Sequence, residues 1–275
     1  MSYFETFRRK IYLKEMPLWM AILNVTPDSF SDGGRYDAVR HAMMLVRQGA
    51  DILDVGGEST RPGASPVSVE EEMRRVIPVI REILSACHSE GILCPPISVD
   101  TRNPETAHAA LEAGAEMLND ITGGENPEMR RLVAHSGAAF CFMHMQGEPR
   151  NMQISPRYDD VVEDIFAWLV HRRDLLLAEN VRKEQLIADP GIGFGKTSEH
   201  NLDILRNVRR FKELDVTILI GHSRKRFLDA FGTGRLVATE TVSCQMAEAK
   251  VGILRLHEKP HWTASEFFAE IDDCS

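Results

Sequence analysis

Residues 186–197 read Leu-Ile-Ala-Asp-Pro-Gly-Ile-Gly-Phe-Gly-Lys-Thr, a short apolar run that ends at a carboxylate, Asp189. Pro190 stops the run, and Gly191, Gly193 and Gly195 let the backbone turn tightly and approach a ligand closely. Phe194 stands among those glycines, where turn geometry calls for no aromatic ring. A carboxylate at a strand end beside a flat apolar face suits a planar ligand with an amine edge. A helix-entry loop with a capping Asp would use the same residues, so the stretch alone leaves both readings open.

The design recurs. Asn24, Asp100 and Asn119 each stand at the end of an apolar run. Thr60 and Arg61 follow another run within a polar glycine loop, and Lys225 follows a further one. Arg255 and His257 lie two apart on the last run or just past it, so their side chains share a face of the extended chain. Carboxylates and amides suit a polar ring, and converging cations suit an anion. Common catalytic motifs fail. Gly195-Lys196-Thr197 would end a phosphate-binding loop, but the spacing demands glycine where Pro190 stands. Lys196 is therefore expected to face solvent or to enter a helix. Gly57-Glu-Ser59-Thr-Arg61 has Arg61 in place of the second glycine of a nucleophile elbow. No His-Glu-x-x-His occurs, and His144 and His222, both at strand ends, stay open in role. A covalent hydrolase and a zinc enzyme are poorly supported.

The elements that must position these residues alternate. Strands are expected at 20–25, 51–55, 96–100, 116–120, 138–143, 186–189, 216–220 and 252–256, each followed by a helix. Ser68 and Glu71 form a capping box for one helix, Asn103-Pro104 opens another, residues 159–179 make the longest, and Thr263 with Glu266 start the last. Strands alternating with helices imply a parallel sheet with right-handed crossovers. Eight such units in this length give an α/β TIM (β/α)8 barrel, whose ligand site lies at the C-terminal strand ends. A doubly wound sheet would use fewer of these loops. Residues 1–18 mix charge and aromatics and are expected to form an arm or hairpin over the barrel floor, with residues 19–275 forming the barrel.

The 275 residues are 43% hydrophobic with a net charge of -9, which argues against a nucleic-acid surface. The five cysteines have no paired short spacing and read as thiols of a reducing compartment. No apolar run approaches the ~20 residues of a membrane span, and the first residues lack the apolar core of a secretion signal. A cytoplasmic location is the expectation.

Five stretches together resemble the dihydropteroate synthase family: Ile22-Leu-Asn-Val-Thr-Pro-Asp-Ser-Phe-Ser-Asp-Gly-Gly, Asp54-Val-Gly-Gly-Glu-Ser-Thr-Arg-Pro-Gly-Ala, Ser98-Val-Asp-Thr, Asp189-Pro-Gly-Ile-Gly-Phe-Gly-Lys and Ser223-Arg-Lys. Leu118-Asn-Asp-Ile, Met143-His-Met-Gln-Gly and Arg255-Leu-His add to the resemblance, which runs from about residue 20 to 258. It implies a homodimeric TIM barrel that joins p-aminobenzoate to 6-hydroxymethyl-7,8-dihydropterin pyrophosphate and releases pyrophosphate, with sulfonamides competing for the p-aminobenzoate site. It assigns the pterin to Asp100, Asn119, Asp189, Lys225, Met143 and Phe194. Pyrophosphate falls to Asn24, Thr60, Arg61, Arg255 and His257, with Mg²⁺ near Asn24. The p-aminobenzoate pocket takes Phe30, Thr60, Pro62, Phe194 and Ser223. Asp100, Lys225, Arg255 and His257 carry the chemistry. The implied route is an SN1-like substitution, with Asp100 stabilising the cation and loops 25–35 and 58–66 closing over it.

The chain departs from the family pattern at Arg226, at Glu258 and in a less alanine-rich segment 240–254. Competing readings are a methyltetrahydrofolate-dependent methyltransferase, a Schiff-base aldolase using Lys225, and a pterin-binding paralogue without catalysis.

Overall fold

The computed structural model describes residues 2–26, 34–58 and 67–262. Eight strands close into a parallel barrel: β3 (Leu18–Asn24), β4 (Ile52–Gly56), β5 (Ile97–Asp100), β6 (Met117–Asp120), β7 (Ala139–Met143), β8 (Leu186–Asp189), β9 (Thr217–Ile220) and β10 (Ile253–Leu256). They follow one another in sequence order around the barrel, and β10 closes on β3. Each is a nearly continuous buried run, as expected of strands covered on both faces. The main helices are α1 (Gly34–Arg47), α2 (Val69–Ser89), α3 (Pro104–Ala113), α4 (Pro127–Ser136), α5 (Val161–Ala178), α6 (Ser198–Arg206), the short α7 (Val208–Phe211) and α8 (Arg235–Glu248). The helix expected from Thr263 lies outside the described residues.

Strand alternation produces two cores. Leu23, Leu53, Val55, Val99, Leu118, Phe140, Phe142 and Ala188 face the helices and join the larger apolar cluster. Leu18, Met20, Ile52, Met117, Ala139, Cys141, Ile187, Leu219 and Ile253 fill the barrel interior at its floor. Side chains two residues apart on a strand share a face. The inward position above each floor residue is therefore fixed: Asp54 above Ile52, Asn119 above Met117, Asp189 above Ile187 and Arg255 above Ile253. On these four strands the chemistry changes from apolar to polar between one inward residue and the next. That step separates the stabilising floor from the ligand-binding mouth.

The floor is closed by a hairpin. β1 (Tyr3–Glu5) pairs antiparallel with β2 (Lys10–Tyr12), and Phe4, 1% exposed, packs into the floor cluster. Thr6 Oγ1 donates to Glu116 Oε2 at 2.9 Å, and Arg9 Nη2 donates to Glu116 Oε1 at 2.5 Å. Glu116 immediately precedes β6, so the hairpin is tied to the N-terminal rim.

Local signals held in part: α5, expected to be the longest helix, has 18 residues and is shorter than α2 with 21. Asp160 caps α5 by accepting from Val162 N and Glu163 N, and Asn103 with Pro104 opens α3. The expected capping box before α2 forms by half. Ser68 Oγ accepts from Glu71 N at 3.3 Å, while the Glu71 carboxylate instead takes Arg74 and Arg75, whose charges draw it along its own helix.

Candidate active site

Three groups of side chains meet at the C-terminal mouth. The first centres on Arg255. Its Nε donates to Asp54 Oδ2 at 2.6 Å and its Nη2 to Asp100 Oδ2 at 2.7 Å. Asn119 Nδ2 donates to the same Asp54 oxygen at 3.1 Å. Burial is the largest influence on Asp100 and lifts its pKa from 3.8 to about 7. Arg255 pulls it down, while Asp54, Glu72 and Asp120 push it up. Burial opposes the Arg255 charge, but Asp54 and Asp100 outweigh it and raise the Arg255 pKa.

The second group surrounds Asp189. Its Oδ1 accepts from Gly191 N at 2.7 Å. Burial raises its pKa, against that backbone bond and the charges of Lys225, Lys196 and Arg255. Lys225 Nζ donates to the Ile192 carbonyl and lies 4.5 Å from the centre of the Phe194 ring, a cation–π geometry. Burial lowers the Lys225 pKa to about 8, with Asp189 opposing the fall. The Phe194 face expected from sequence thus already carries a cation. Met143 ends β7 opposite Asp189 in register.

The third group joins two strand ends. Ser223 Oγ lies 2.9 Å from His257 Nδ1, and His257 N donates to Ser223 Oγ at 3.3 Å. Between Ser223 and Lys225, Arg224 adopts a φ of 57°, which lets adjacent residues turn toward different groups. Asn24 ends β3 level with Gly56 of β4 and is partly exposed. Phe30, Thr60, Arg61 and Pro62 lie outside the described residues, as do most of the loops 25–35 and 58–66.

Two expectations need correction or addition. Lys196, expected to face solvent or to enter a helix, stands directly before Thr197, the N-cap of α6, but is only 2% exposed rather than solvent-facing. Its Nζ meets His144 Nδ1 at 3.0 Å, the His144 carbonyl at 3.4 Å and the Phe194 carbonyl at 2.9 Å. Burial drives its pKa well below the usual lysine value, with Asp189 opposing the fall and Lys225 adding to it. The cause of that burial is the close seating of the glycine loop. Gly191 has a φ of 73°, and a Cβ there would fall 1.9 Å from the His144 carbonyl, so the loop folds onto the end of β7 and carries Lys196 inward. His144 acts as the acceptor, and burial followed by the Lys196 charge lowers its pKa to about 2, keeping it neutral. The other addition is Asp54, for which the sequence reading gave no role. Its alternation with the floor residue Ile52 was the available signal.

Lys196→Met should strand these three acceptors at about 1–3 kcal/mol each, offset by the cost of burying the ammonium. A net loss of about 2 kcal/mol is expected in urea unfolding. The glycine loop that carries Phe194 also loses its anchor.

This mouth, with carboxylates and amides on one side and a tethered guanidinium with a Ser–His pair on the other, defines a barrel enzyme that binds a polar planar ring beside an anion. Comparison with known proteins specifies the class. The profile of the family described as pterin binding enzyme matches residues 20–257. Dihydropteroate synthase of Escherichia coli (strain K12) is 41% identical over 252 residues, covering 88% of this chain and 86% of its own. The Xanthomonas albilineans dihydropteroate synthase solved with 4-aminobenzoic acid has a TM-score of 0.87 at 37% identity, covering 99% of this chain and 98% of its own. The same protein with 7,8-dihydropteroate gives a TM-score of 0.84 at 34% identity, with both chains fully covered. The Yersinia pestis enzyme in a sulfonamide drug complex gives 0.86 at 33%, again with both chains fully covered. The chain belongs to the dihydropteroate synthases, within the pterin-binding enzymes.

Proposed function

We propose that the chain makes 7,8-dihydropteroate from p-aminobenzoate and 6-hydroxymethyl-7,8-dihydropterin pyrophosphate by a dissociative substitution at the pterin methylene. The C–O bond breaks first, and pyrophosphate leaves with the electron pair. The arylamine lone pair then forms the C–N bond, and the nitrogen loses a proton. No protein nucleophile is required.

The observation that carries this reading is the convergence of Asp100, Asn119, Asp189 and Arg255 on the inner face of the mouth, each a strand-end residue. Asp189 and Asn119 meet the amine and ring-NH edge of the pterin, and Lys225 meets its carbonyl side. Met143 and Phe194 flank the ring. Asp100 stabilises the positive charge that develops on the pterin. Arg255 and His257 hold the departing pyrophosphate, with Asn24, Thr60 and Arg61 beside them. The p-aminobenzoate pocket draws on Ser223, Phe194, Phe30, Thr60 and Pro62. Ser223 Oγ, 2.9 Å from His257 Nδ1, keeps the His257 ring in one orientation beside the anion.

Mg²⁺ fits the donor set at Asn24. The described residues hold no group of three His, Cys, Asp or Glu able to cage a metal. Mg²⁺ usually keeps several waters and takes its remaining oxygens from one or two protein groups and from phosphates. A single amide oxygen beside a diphosphate satisfies that preference, and bound Mg²⁺ would neutralise charge on the leaving group. We further propose a homodimer, a cytoplasmic location and competitive inhibition by sulfonamides. No described helix is long and apolar enough to cross a membrane.

The deciding experiment follows pyrophosphate release from the pterin pyrophosphate with and without p-aminobenzoate and Mg²⁺. Release that depends on p-aminobenzoate and yields dihydropteroate is expected. Pterin binding without turnover would select the inactive paralogue, and no pterin binding would overturn the reading. A secondary α-deuterium isotope effect at the methylene is expected of the dissociative path, and its absence would exclude that path.

A further inference from the structure

Asp54 is completely buried, at 0% exposure, in the second strand of the barrel, β4. One of its oxygens, Oδ2, accepts from both Arg255 Nε and Asn119 Nδ2. Those partners sit on β10 and β6, the strands two places to either side of β4. Alternate strands of such a barrel contribute to the same interior layer. Asp54 therefore bridges, within one layer, a residue assigned to the pterin and a residue assigned to pyrophosphate.

We propose that Asp54 is a positioning residue that couples the two halves of the substrate site, fixing Asn119 for the pterin and Arg255 for pyrophosphate. The inference rests on the functional reading above and adds a residue to it. Arg255 has five N–H donors. One goes to Asp54 and one to Asp100, which leaves three for pyrophosphate. Asp100 is the group assigned to the developing cation, so it serves poorly as the permanent anchor of the guanidinium. Asp54 supplies an anchor that the reaction does not use. With Nε held there, Arg255 can turn its remaining donors to the leaving group without losing its place. The same carboxylate keeps the Asn119 amide from rotating, so the amide oxygen stays turned away from Asp54 and available to a ring N–H.

Asp54 also acts on Asp100 through charge. Five influences bear on Asp100. Burial comes first, then Arg255, and then Asp54, Glu72 and Asp120, of which only Arg255 favours ionisation. Replacing Asp54 with a neutral residue removes one opposing charge. It also leaves Arg255 free to pair more fully with Asp100. Both changes lower the pH at which Asp100 ionises.

The test compares wild type, Asp54→Asn and Asp54→Glu. Affinities for the free pterin and for inorganic pyrophosphate are measured by calorimetry, and turnover is followed across pH 5.5–9. For Asp54→Asn, both affinities are expected to fall about tenfold, with the KM for p-aminobenzoate unchanged. The acid limb of kcat/KM is expected to move down by about one pH unit. Asp54→Glu keeps the charge, so its affinities fall while the acid limb stays at the wild-type position. Should Asp54→Asn fail to fold, the position of the acid limb in Asp54→Glu decides, and movement there would overturn the proposal. Unchanged pterin and pyrophosphate affinities in a folded Asp54→Asn would also overturn it, as would a parallel loss of p-aminobenzoate binding. If wild type itself fails to turn over, the functional reading fails, while the pyrophosphate-binding comparison still decides whether Asp54 positions Arg255.

Discussion

Asp189→Asn is expected to lose at least ~10²-fold in pterin affinity while the KM for p-aminobenzoate changes little. An ionised carboxylate accepts two charge-assisted hydrogen bonds from the ring edge, worth about 1.5–3 kcal/mol each. Asparagine has nearly the same shape and can still accept from Gly191 N. It turns an NH2 donor toward a ring edge made of donors, so a favourable pair becomes a clash of like dipoles. Folding should be nearly unaffected. Relief from burying a charge is offset because Lys225 and Lys196 lose the carboxylate that favours their charged forms. The Lys225 pKa, already near 8, should therefore fall further, and activity that depends on its charge should decline at lower pH than in wild type. Calorimetric pterin titration together with thermal unfolding separates the two effects. Equal losses in both would mean that Asp189 is structural rather than ligand-binding.

Arg255→Ala is expected to lower kcat/KM by a factor on the order of 10³, because on the proposed assignment pyrophosphate departs without the Arg255 guanidinium. A stability cost of about 3–5 kcal/mol should accompany it, since Asp54 and Asp100 would face each other without a counter-charge. That cost has a definite pH dependence. Burial already holds the folded-state pKa of Asp100 above its ordinary 3.8, at about 7, and Arg255 is the group that lowers it. Without Arg255 the folded pKa rises further. A carboxyl whose pKa is raised on folding binds protons more readily in the folded state, so stability falls as pH climbs from 3.8 toward the folded value. The variant should unfold at a urea concentration closer to wild type at pH 5 than at pH 8. Urea midpoints at the two pH values check this, and a gap that narrows with rising pH would contradict the buried pairing. Arg255→Lys should recover only part of the activity, because an ammonium cannot span Asp54 and Asp100 while also presenting a fork of donors to pyrophosphate.

The departures noted in sequence differ in their structural setting. Arg226 is exposed at the start of a short 3-10 helix, Arg226–Phe231, directly after Lys225. Glu258 pairs with Arg224, the residue whose positive φ separates Ser223 from Lys225. The Glu258 departure thus touches the turn that supports the site.

The sequence by itself determined the barrel and the ring of polar strand ends. Alternation is local: a strand-end Asp, Asn or Arg shares its face with the residue two positions earlier, whatever the rest of the chain does. Asp189 above Ile187 and Arg255 above Ile253 could be read in this way, and so could the glycines that hold Phe194. Only the tertiary structure decided which inward residues hold one another. Asp54 and Arg255 are 201 residues apart, and Asp54 and Asn119 are 65 apart. Their pairing depends on barrel closure and on which strands share a layer, which no local period encodes. Lys196 makes the same point in a loop. Its sequence neighbourhood looks solvent-bound, yet the seating of Gly191 against the His144 carbonyl carries the Lys196 amine inward, where it meets two His144 atoms past the end of β7 and the Phe194 carbonyl of its own loop. Local pattern sets the direction in which a side chain points, and long-range closure sets what it meets there.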